Sequence, residues 1–419
     1  MLKRIKIRSN GLTFLYDQNQ SAGSVTAALF FKSGVIYEKE RELGVSRFVQ
    51  ELLFRQYASG FSADLLTEQS AGRDHAAFLF TAPPECAGEA VERLLRVFDE
   101  EPFRPAQIET VRSDMIRAAQ TWKPSPEETQ EALLFDRPQY AASPFGTERS
   151  LFSLTEDKLR QWRNAYFAPS NACLVVKGAV SNDDLNAVTA LLRSLPARKR
   201  KTINTKQLFP ADQFFRTSAS DRLLPTEEPF ASVSLQFEID LGETKPVWAD
   251  LLRRLLTEPP EGAVHTALTG RKLTDAVDGG LRLYRGFATL SLSCFTFHAN
   301  AAECALLMAE SAAEFKEKLR EETVAPLLKE YAVNRLYRTD DVAHYAYDVG
   351  LHNFILYTDD LLLPANVSAE DATEALLTAA DLILLPDNAV FTVYYNEKRG
   401  ADPAAVRKNL AAARIRLFK

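Results

Sequence analysis

The sequence predicts an α+β protein of two homologous lobes, each a mostly antiparallel sheet with helices packed on it. The first observation is a repeated segment, since P-S-N-A-C-L-V-V begins at Pro169 and P-D-N-A-V-F-T-V begins at Pro386. The second is a strand-like run followed by an amphipathic helix in each half, whose cysteines, Cys86 and Cys304, are separated by almost the same interval. Two matched segments at nearly one offset indicate a duplicated domain of about 210 residues.

Each half contains its own strand and helix candidates. Runs of β-branched and aromatic residues predict strands at 25–32, 76–81 and 172–177, and again at 232–239, 288–295 and 390–395. Thr155 and Ser368 are predicted N-caps of the helices that precede the repeated segments. We expect one lobe at 1–192 and the other at 213–419, joined by a linker at 193–212 that is polar, basic and without apolar periodicity.

Composition and charge exclude several classes of protein. The net charge of −6 argues against a nucleic-acid partner, because Lys and Arg contacts to phosphate dominate such binding. No apolar run reaches the roughly 18 residues of a membrane span, and the first residues lack the apolar core of a secretion signal. The four cysteines are scattered and form no C-x-x-C pair, so we expect reduced thiols and a cytoplasmic location.

Residues 44–54, G-V-S-R-F-V-Q-E-L-L-F, predict an amphipathic helix. The apolar residues recur at helical spacing and form one stripe: Val45, Phe48, Val49, Leu52 and Leu53. Arg47, Gln50 and Glu51 lie on the opposite side, in an i, i+3, i+4 relation that lets their side chains meet. One interpretation is a solvated helix face, where a pair between Arg47 and Glu51 contributes a few tenths of a kcal/mol.

The stretch S-G-V-I-Y-E-K-E-R-E-L-G-V-S-R-F-V-Q-E-L-L-F (33–54) resembles the active-site segment of the insulinase/pitrilysin family, the inverted H-x-x-E-H zinc peptidases. That family carries G-x-x-H-F-x-E-H-x-x-F on a helix, a pattern matched here by Gly44, Phe48, Leu53 and Phe54. Residues 143–180 resemble a second family stretch, with its P-x-G turn, Y-x-x-P-x-N and strand: Pro144, Gly146, Tyr166, Pro169, Asn171 and Gly178. The resemblance covers about the whole chain and implies two lobes that face each other like a clam shell.

The same resemblance implies a degenerate zinc site. The family's chemistry needs two imidazoles to hold zinc and a carboxylate to take a proton from the metal-bound water. Arg47 and Glu51 stand at the two histidine positions, and Gln50 at the glutamate. Alignment of residues 108–120 with the family's later helix puts Ala118 at the third ligand and Val111 at the supporting glutamate. A guanidinium has no free lone pair, so we expect no metal and no other cofactor.

The second half departs from the family in the same way. Relatives often supply there an arginine and, seven residues on, a tyrosine that grip the substrate backbone. Alignment of residues 258–277 puts Thr269 and Ala276 at those positions, so this pair is also expected to be lost. The five histidines offer no alternative metal pattern. Even His344 and His352, on one possible helix, would lie about 12 Å apart along its axis.

The resemblance therefore implies a catalytically inactive peptidase homologue. Because the family often pairs an active with an inactive subunit, we expect a non-catalytic subunit that forms a heterodimer with an active zinc processing peptidase, or associates with itself, and helps bind peptide. The alternative is a structural or peptide-binding protein without a peptidase partner. A peptidase with an unrecognised site stays open as a third hypothesis, because Ser/His/Asp triads are defined by geometry and not by spacing.

Overall fold

The protein is described by a computed structural model that covers residues 2–58, 65–124, 128, 142–197, 221–358 and 367–417. The contacts within the chain divide it into two units. The first comprises Met1–Leu208 together with Leu336–Tyr357, and the second Phe209–Arg335 together with Thr358–Lys419. The expected linker at 193–212 overlaps the end of a helix, Asn182–Ser194, and its positions 198–212 lie outside the described residues.

The first unit contains a mixed, mostly antiparallel sheet. Its described strands lie in the order β1-β2-β6-β3-β5-β4, and only β2 and β6 run parallel to each other. The bounds are β1 Lys3–Lys6, β2 Thr13–Gln18, β3 Val25–Phe31, β4 Leu66–Ala71, β5 Ala76–Ala82 and β6 Ala172–Gly178. The three strands predicted in this half are confirmed as β3, β5 and β6. Strands β1, β2 and β4 were not predicted. K-R-I-K and L-T-E-Q-S-A are poor in β-branched and aromatic residues, whereas T-F-L-Y-D-Q of β2 contains such residues and was overlooked.

Helices cover one face of this sheet. They are α1 Val45–Ala58, α2 Ala87–Leu95, α3 Pro105–Thr121, α4 Glu148–Phe152, α5 Glu156–Tyr166 and α6 Asn182–Ser194. Leu29 and Phe31 of β3 join these helices in one buried apolar core. Thr155 is the N-cap of α5, as predicted, because its hydroxyl accepts a hydrogen bond from the amide of Lys158.

The five described strands of the second unit repeat the order of β2, β6, β3, β5 and β4 in the first unit. Its sheet runs β7-β11-β8-β10-β9, with β7 and β11 parallel, just as β2 and β6 are. The strands are β7 Arg222–Pro225, β8 Ala231–Asp240, β9 Asp278–Leu283, β10 Phe287–Thr296 and β11 Ala389–Tyr395. Because the repeated segments of the sequence lead into β6 and β11, they occupy equivalent strands of the two sheets. The predicted strands of this half are confirmed as β8, β10 and β11.

The helices after β8 include one that packs in the other unit. The bounds are α7 Pro246–Thr257, α8 Ala263–Gly270, α9 Ala301–Lys318, α10 Glu321–Asp340, α11 Val342–Gly350, α12 Ala369–Ile383 and α13 Pro403–Leu417. Helix α11 and the π-helical turn Leu351–Leu356 belong to the first unit, where α11 packs on β3 and β6. Phe30, which alternation directs away from the α1 side of the sheet, contacts Tyr347 of α11 with ring centroids 5.5 Å apart.

Candidate functional site

Helix α1 is the element on which the sequence places the candidate site, and a buried carboxylate fixes where it begins. The two oxygens of Glu38 accept hydrogen bonds from the backbone amides of Gly44 (2.6 Å) and Ser46 (2.7 Å). These amides would otherwise lack partners at the start of the helix. Burial raises the pKa of Glu38 to about 7, against the opposing effect of the two amide bonds. The predicted apolar stripe of α1 is confirmed, since all five of its residues are buried.

A contact between two glycines anchors the same end of α1. Gly44 has φ +87° and Gly146 has φ +77°, a region that favours glycine. A Cβ on Gly44 would lie 2.8 Å from the carbonyl oxygen of Phe145, and one on Gly146 would collide with the carbonyl of Leu43. The G and P-x-G positions of the sequence pattern therefore meet in space, where two main-chain segments approach too closely for any side chain.

The polar side of α1 is largely enclosed, so the interpretation as a solvated face is wrong. Arg47 Nη2 lies 2.7 Å from Glu51 Oε1, and the two side chains are only 23% and 16% exposed. Glu51 Oε1 also accepts a hydrogen bond from Gln69 Nε2 of β4 (3.0 Å). Arg55, one turn further, approaches Glu51 at 3.9 Å and pairs with Asp114 of α3 at 2.8 Å. The predicted Arg47–Glu51 pair is thus part of a network that ties α1 to the sheet and to α3.

Gln50 is the most buried residue of this polar side, with 1% of its surface exposed. Its Nε2 donates to the carbonyl oxygens of Ser70 (2.8 Å) and Ala77 (3.3 Å), which belong to the paired strands β4 and β5. An amide can donate to main-chain carbonyls, whereas an ionised carboxylate can only accept. Glutamine therefore supplies hydrogen bonds to these two carbonyl oxygens that an ionised glutamate could not donate.

Helix α3 brings little metal-binding chemistry to this region. Ala118 offers only a methyl group, and Val111 is fully buried in the apolar core. The nearby carboxylates are engaged: Asp114 with Arg55, and Glu109 with Arg112 at 3.3 Å. Within the part of the chain that the structure describes, no three His, Cys, Asp or Glu residues are grouped so that they could hold a metal ion.

The two second-half positions lie near the end of α8. Thr269 is in that helix and donates its hydroxyl to the carbonyl of His265 (2.7 Å). Ala276 lies in the following loop, where its amide and carbonyl both bond the hydroxyl of Thr274. Arg271, between them, approaches Glu303 at 3.5 Å. Neither Thr269 nor Ala276 offers a cation or a phenol to a ligand, so the contacts described at these two positions are local and structural.

One polar cluster was missed by sequence reasoning. Tyr347 of α11 places its hydroxyl 2.8 Å from Nε2 of His75 and 3.1 Å from the hydroxyl of Ser70. His75 Nδ1 in turn lies 2.8 Å from Asp74 Oδ1. These four residues form a hydrogen-bonded chain across the sheet face opposite α1. Tyr347 comes from the far half of the sequence, and no local pattern could have associated it with its partners.

The same face carries an open pocket beside β4. It has a volume of about 430 Å³, and its lining includes Glu68 and Ser70 of β4, Tyr347 and His344 of α11, and Asp341. Within the described residues, β4 is the last strand of its sheet. An edge strand presents alternate main-chain N–H and C=O groups that a further strand can pair with. The first unit therefore combines a strand edge with an adjoining polar pocket. No described helix has the length and apolar character needed to cross a membrane.

Two protein-family models match the chain, and both describe the same peptidase family. The model described as Insulinase (Peptidase family M16) matches residues 13–142. The model described as Peptidase M16 inactive domain matches residues 153–331. The boundary between these matches falls inside the first structural unit, between α3 and α5.

Curated relatives are distant and longer than the aligned segments. The chain is 19% identical over 235 residues to the uncharacterized zinc protease YmxG of Bacillus subtilis, covering 53% of this chain and 57% of that protein. It is 24% identical over 191 residues to cytochrome b-c1 complex subunit 1, mitochondrial, of Caenorhabditis elegans, covering 41% of this chain and 40% of that protein. The chain thus spans about half the length of the curated relatives it matches.

Solved structures share the fold over nearly the full length. A crystal structure described as the peptidase M16 inactive domain from Pseudomonas fluorescens superimposes with a TM-score of 0.78 and 15% identity, covering 94% of this chain and 98% of that chain. This likeness confirms the predicted fold class of two similar α+β units, each a mostly antiparallel sheet with packed helices.

Proposed function

Because the chain belongs to the insulinase family, peptidase family M16, we propose that it is a non-catalytic member that serves as the partner subunit of an active zinc processing peptidase. Its role is to stabilise that peptidase and to help hold peptide. The proposal rests on one observation above all. In the alignment that the sequence resemblance implies, helix α1 carries Arg47 and Glu51 at the two histidine positions and Gln50 at the glutamate position, and all three side chains have other partners.

The residues present do not fit the zinc ion that the family implies. Zinc takes thiolate, imidazole or carboxylate ligands, and a guanidinium cannot serve as one. On the polar side of α1 the one such group is the carboxylate of Glu51, which is engaged with Arg47 and Gln69. Ala118 adds no donor from α3. We therefore derive no catalytic step through a metal for this chain.

The partner role is supported by the kind of protein the chain resembles. The relative from Caenorhabditis elegans is, by its name, a subunit of a larger complex. A chain with this fold can therefore have a place in an assembly. The proposal places the protein in the cytoplasm, where its four cysteines, all free thiols, would stay reduced. Peptide would bind by strand addition to the edge of β4.

Metal content and hydrolysis test the non-catalytic part of the proposal. Purified protein is analysed for zinc, and hydrolysis of a quenched peptide library is followed with and without added zinc. We expect neither stoichiometric zinc nor cleavage, and no change of Tm with EDTA, since a ligand that binds only the folded state would raise Tm. A variant carrying R47H, Q50E, E51H and A118E is the matched control and should gain zinc. Chelator-sensitive cleavage by the unmodified chain would falsify the proposal.

A separate experiment tests the partner. The protein is mixed with an insulinase-family peptidase that carries an intact H-x-x-E-H and is encoded in the same genome. We expect a complex on gel filtration and a raised peptidase rate. If the two proteins elute separately and the rate is unchanged, the partner role is wrong even if the chain is inactive.

The alternative is a structural or peptide-binding protein without a peptidase partner. The same Caenorhabditis elegans relative supports it, because that protein is named as a complex subunit and not as a peptidase. The two functions differ in a simple observation. A neighbouring gene for a peptidase with intact zinc ligands favours the partner role, and its absence favours the alternative.

A further inference from the structure

We propose that a pocket between α7, α8 and α9, the α8 pocket, binds a free aromatic amino acid whose ring carries a hydroxyl, of which tyrosine is the simplest. The pocket has a volume of about 410 Å³, which lies in the range of small-molecule sites. All of its lining residues belong to the second unit. The inference goes beyond the proposed function and does not depend on it.

The walls of the α8 pocket are apolar and continue the core of the second unit. Leu255 of α7 and Ala263 and Ala267 of α8 are partly buried and pack against that core. Phe315 of α9 and Leu319, at its end, are buried members of the core. The short side chains of the two alanines, one turn apart, leave space that larger residues would fill. An apolar ligand would cover this surface, and removal of apolar surface from water favours binding.

Ser311 of α9 brings an unused hydroxyl to the pocket. The residue is only 8% exposed, and its Oγ has no hydrogen-bond partner among the described residues. The exposed Thr266, in contrast, donates its hydroxyl to the carbonyl of Pro260 at 3.1 Å. A hydroxyl that a ligand shields from water must gain a hydrogen bond in return. A ligand that reaches Ser311 therefore needs a polar group at its buried tip.

Opposite charges lie at the rim of the pocket. Glu261 and Lys318 are the two charged residues of its described lining, and both are exposed. Glu261 has no ion pair among the described residues. Lys318 pairs with Glu314 at 2.7 Å, but such an exposed pair is weak and a ligand carboxylate can replace it. A zwitterionic head therefore fits the rim, with its ammonium towards Glu261 and its carboxylate towards Lys318.

The spacing along α9 sets the length of the ligand. Ser311 and Lys318 are seven residues apart on one helix face, a rise of about 10 Å, and Phe315 lies between them. The side chain of Lys318 leans back over the preceding turn, as its bond to Glu314 shows. Tyrosine can span this distance, because its phenolic hydroxyl lies at the end of the ring opposite to the zwitterionic head. Phenylalanine would leave the hydroxyl of Ser311 without a partner.

The test compares L-tyrosine with three analogues that each lack one group: L-phenylalanine, tyramine and 3-(4-hydroxyphenyl)propionate. Dissociation constants for the full chain are measured by saturation-transfer NMR. We expect a Kd for tyrosine of about 1 mM or below. Phenylalanine should bind about fivefold more weakly, because it offers Ser311 no hydrogen bond. Tyramine and the propionate should each bind about threefold more weakly, because the rim charges are solvated.

Variants assign each preference to one residue. S311A should make the affinities of tyrosine and phenylalanine equal without lowering Tm, because its hydroxyl bonds nothing in the protein. E261Q should remove the advantage of tyrosine over the propionate, and K318M its advantage over tyramine. The matched control is E397Q with K398M, which removes one carboxylate and one ammonium from an exposed turn and should change no affinity.

A blocking variant completes the design. A267F fills the α8 pocket and should abolish binding of all four compounds, with Tm showing that the protein remains folded. The inference is overturned if tyrosine does not bind at its solubility limit, or if tyrosine and phenylalanine bind equally to the unmodified protein. It is also overturned if the preference for tyrosine survives S311A, if folded A267F binds normally, or if the control loses binding. The partner role stands or fails separately, on gel filtration.

Discussion

Arg47 and Glu51, one turn apart on α1, form an ion pair at 2.7 Å whose members also belong to the polar network between α1, β4 and α3. In isolation, such a helix pair contributes a few tenths of a kcal/mol. Here both side chains are largely enclosed, and Glu51 is shared by Arg47, Arg55 and Gln69. Loss of the carboxylate would therefore leave an enclosed guanidinium without its counter-charge, which is costlier than loss of a solvated pair.

We accordingly predict that Glu51→Gln lowers stability by about 1–3 kcal/mol. Arg47→Met should lower stability less, because it removes the enclosed cation while Glu51 keeps Arg55 and Gln69 as partners. The double variant should lose less stability than the sum of the two single-variant losses. Thermal unfolding of the unmodified protein, the two single variants and the double variant gives the interaction free energy between Arg47 and Glu51. Arg160→Gln, which breaks an exposed pair with Asp157, is the control and should change Tm little. Strictly additive effects at Arg47 and Glu51 would contradict the network.

The buried Glu38 predicts a pH dependence of stability. Its pKa is raised from 4.5 to about 7 by burial, so the folded state holds a proton that the unfolded state releases above its lower pKa. The contribution of this group is therefore fully present below about pH 4.5 and is lost as pH rises through about 7, at a cost of about 3 kcal/mol. Glu38→Gln, which cannot ionise, should flatten this part of the profile.

Tm measured between pH 4 and pH 8 for both proteins checks the prediction. The difference in Tm between Glu38→Gln and the unmodified protein should shift in favour of the variant as pH rises. A constant difference over this range would mean that Glu38 does not titrate there.

The glycine contact at the start of α1 predicts a strong response to a single methyl group. Gly146→Ala forces a left-handed backbone on alanine and drives its Cβ into the carbonyl of Leu43, so we expect a loss of about 2 kcal/mol or more. Gly88→Ala in α2 is the matched control, because no atom lies within 4 Å of its added Cβ. That variant should instead gain about 0.5–1 kcal/mol from helix propensity. Equal effects of the two substitutions on Tm would refute the close approach.

The hydroxyl of Tyr347 is expected to stabilise the packing of α11 on the first sheet. Tyr347→Phe keeps the ring against Phe30 but removes the hydroxyl that bonds His75 and Ser70, so we expect a loss of about 1–3 kcal/mol. Limited proteolysis of the variant should then cleave within or beside residues 336–357 at a higher rate than in the unmodified protein. Tyr337→Phe, whose side chain is exposed, serves as the control. Cleavage unchanged in Tyr347→Phe would mean that the hydroxyl does not secure the helix.

The sequence by itself determined the repeated design of the protein. Apolar alternation and helical spacing are local properties, and they predicted β3, β5, β6, β8, β10 and β11 as well as the apolar stripe of α1. The N-caps Thr155 and Ser368 were predicted for the same reason, since a cap depends on residues three positions away. The chemical identity of Arg47, Gln50, Glu51 and Ala118 also needed no structure.

Only the tertiary structure decided what surrounds those side chains. Burial of Gln50 depends on carbonyls of β4 and β5, and the shared use of Glu51 depends on Gln69 and Arg55, none of which helical spacing alone reveals. The chain of Asp74, His75, Tyr347 and Ser70 joins residues from opposite halves of the sequence. Edge strand β4 was missed because its residues are polar, and its place beside α11 follows from packing of the whole sheet. Contacts over such separations are set by the folded core, because no short-range preference carries information about a partner hundreds of residues away.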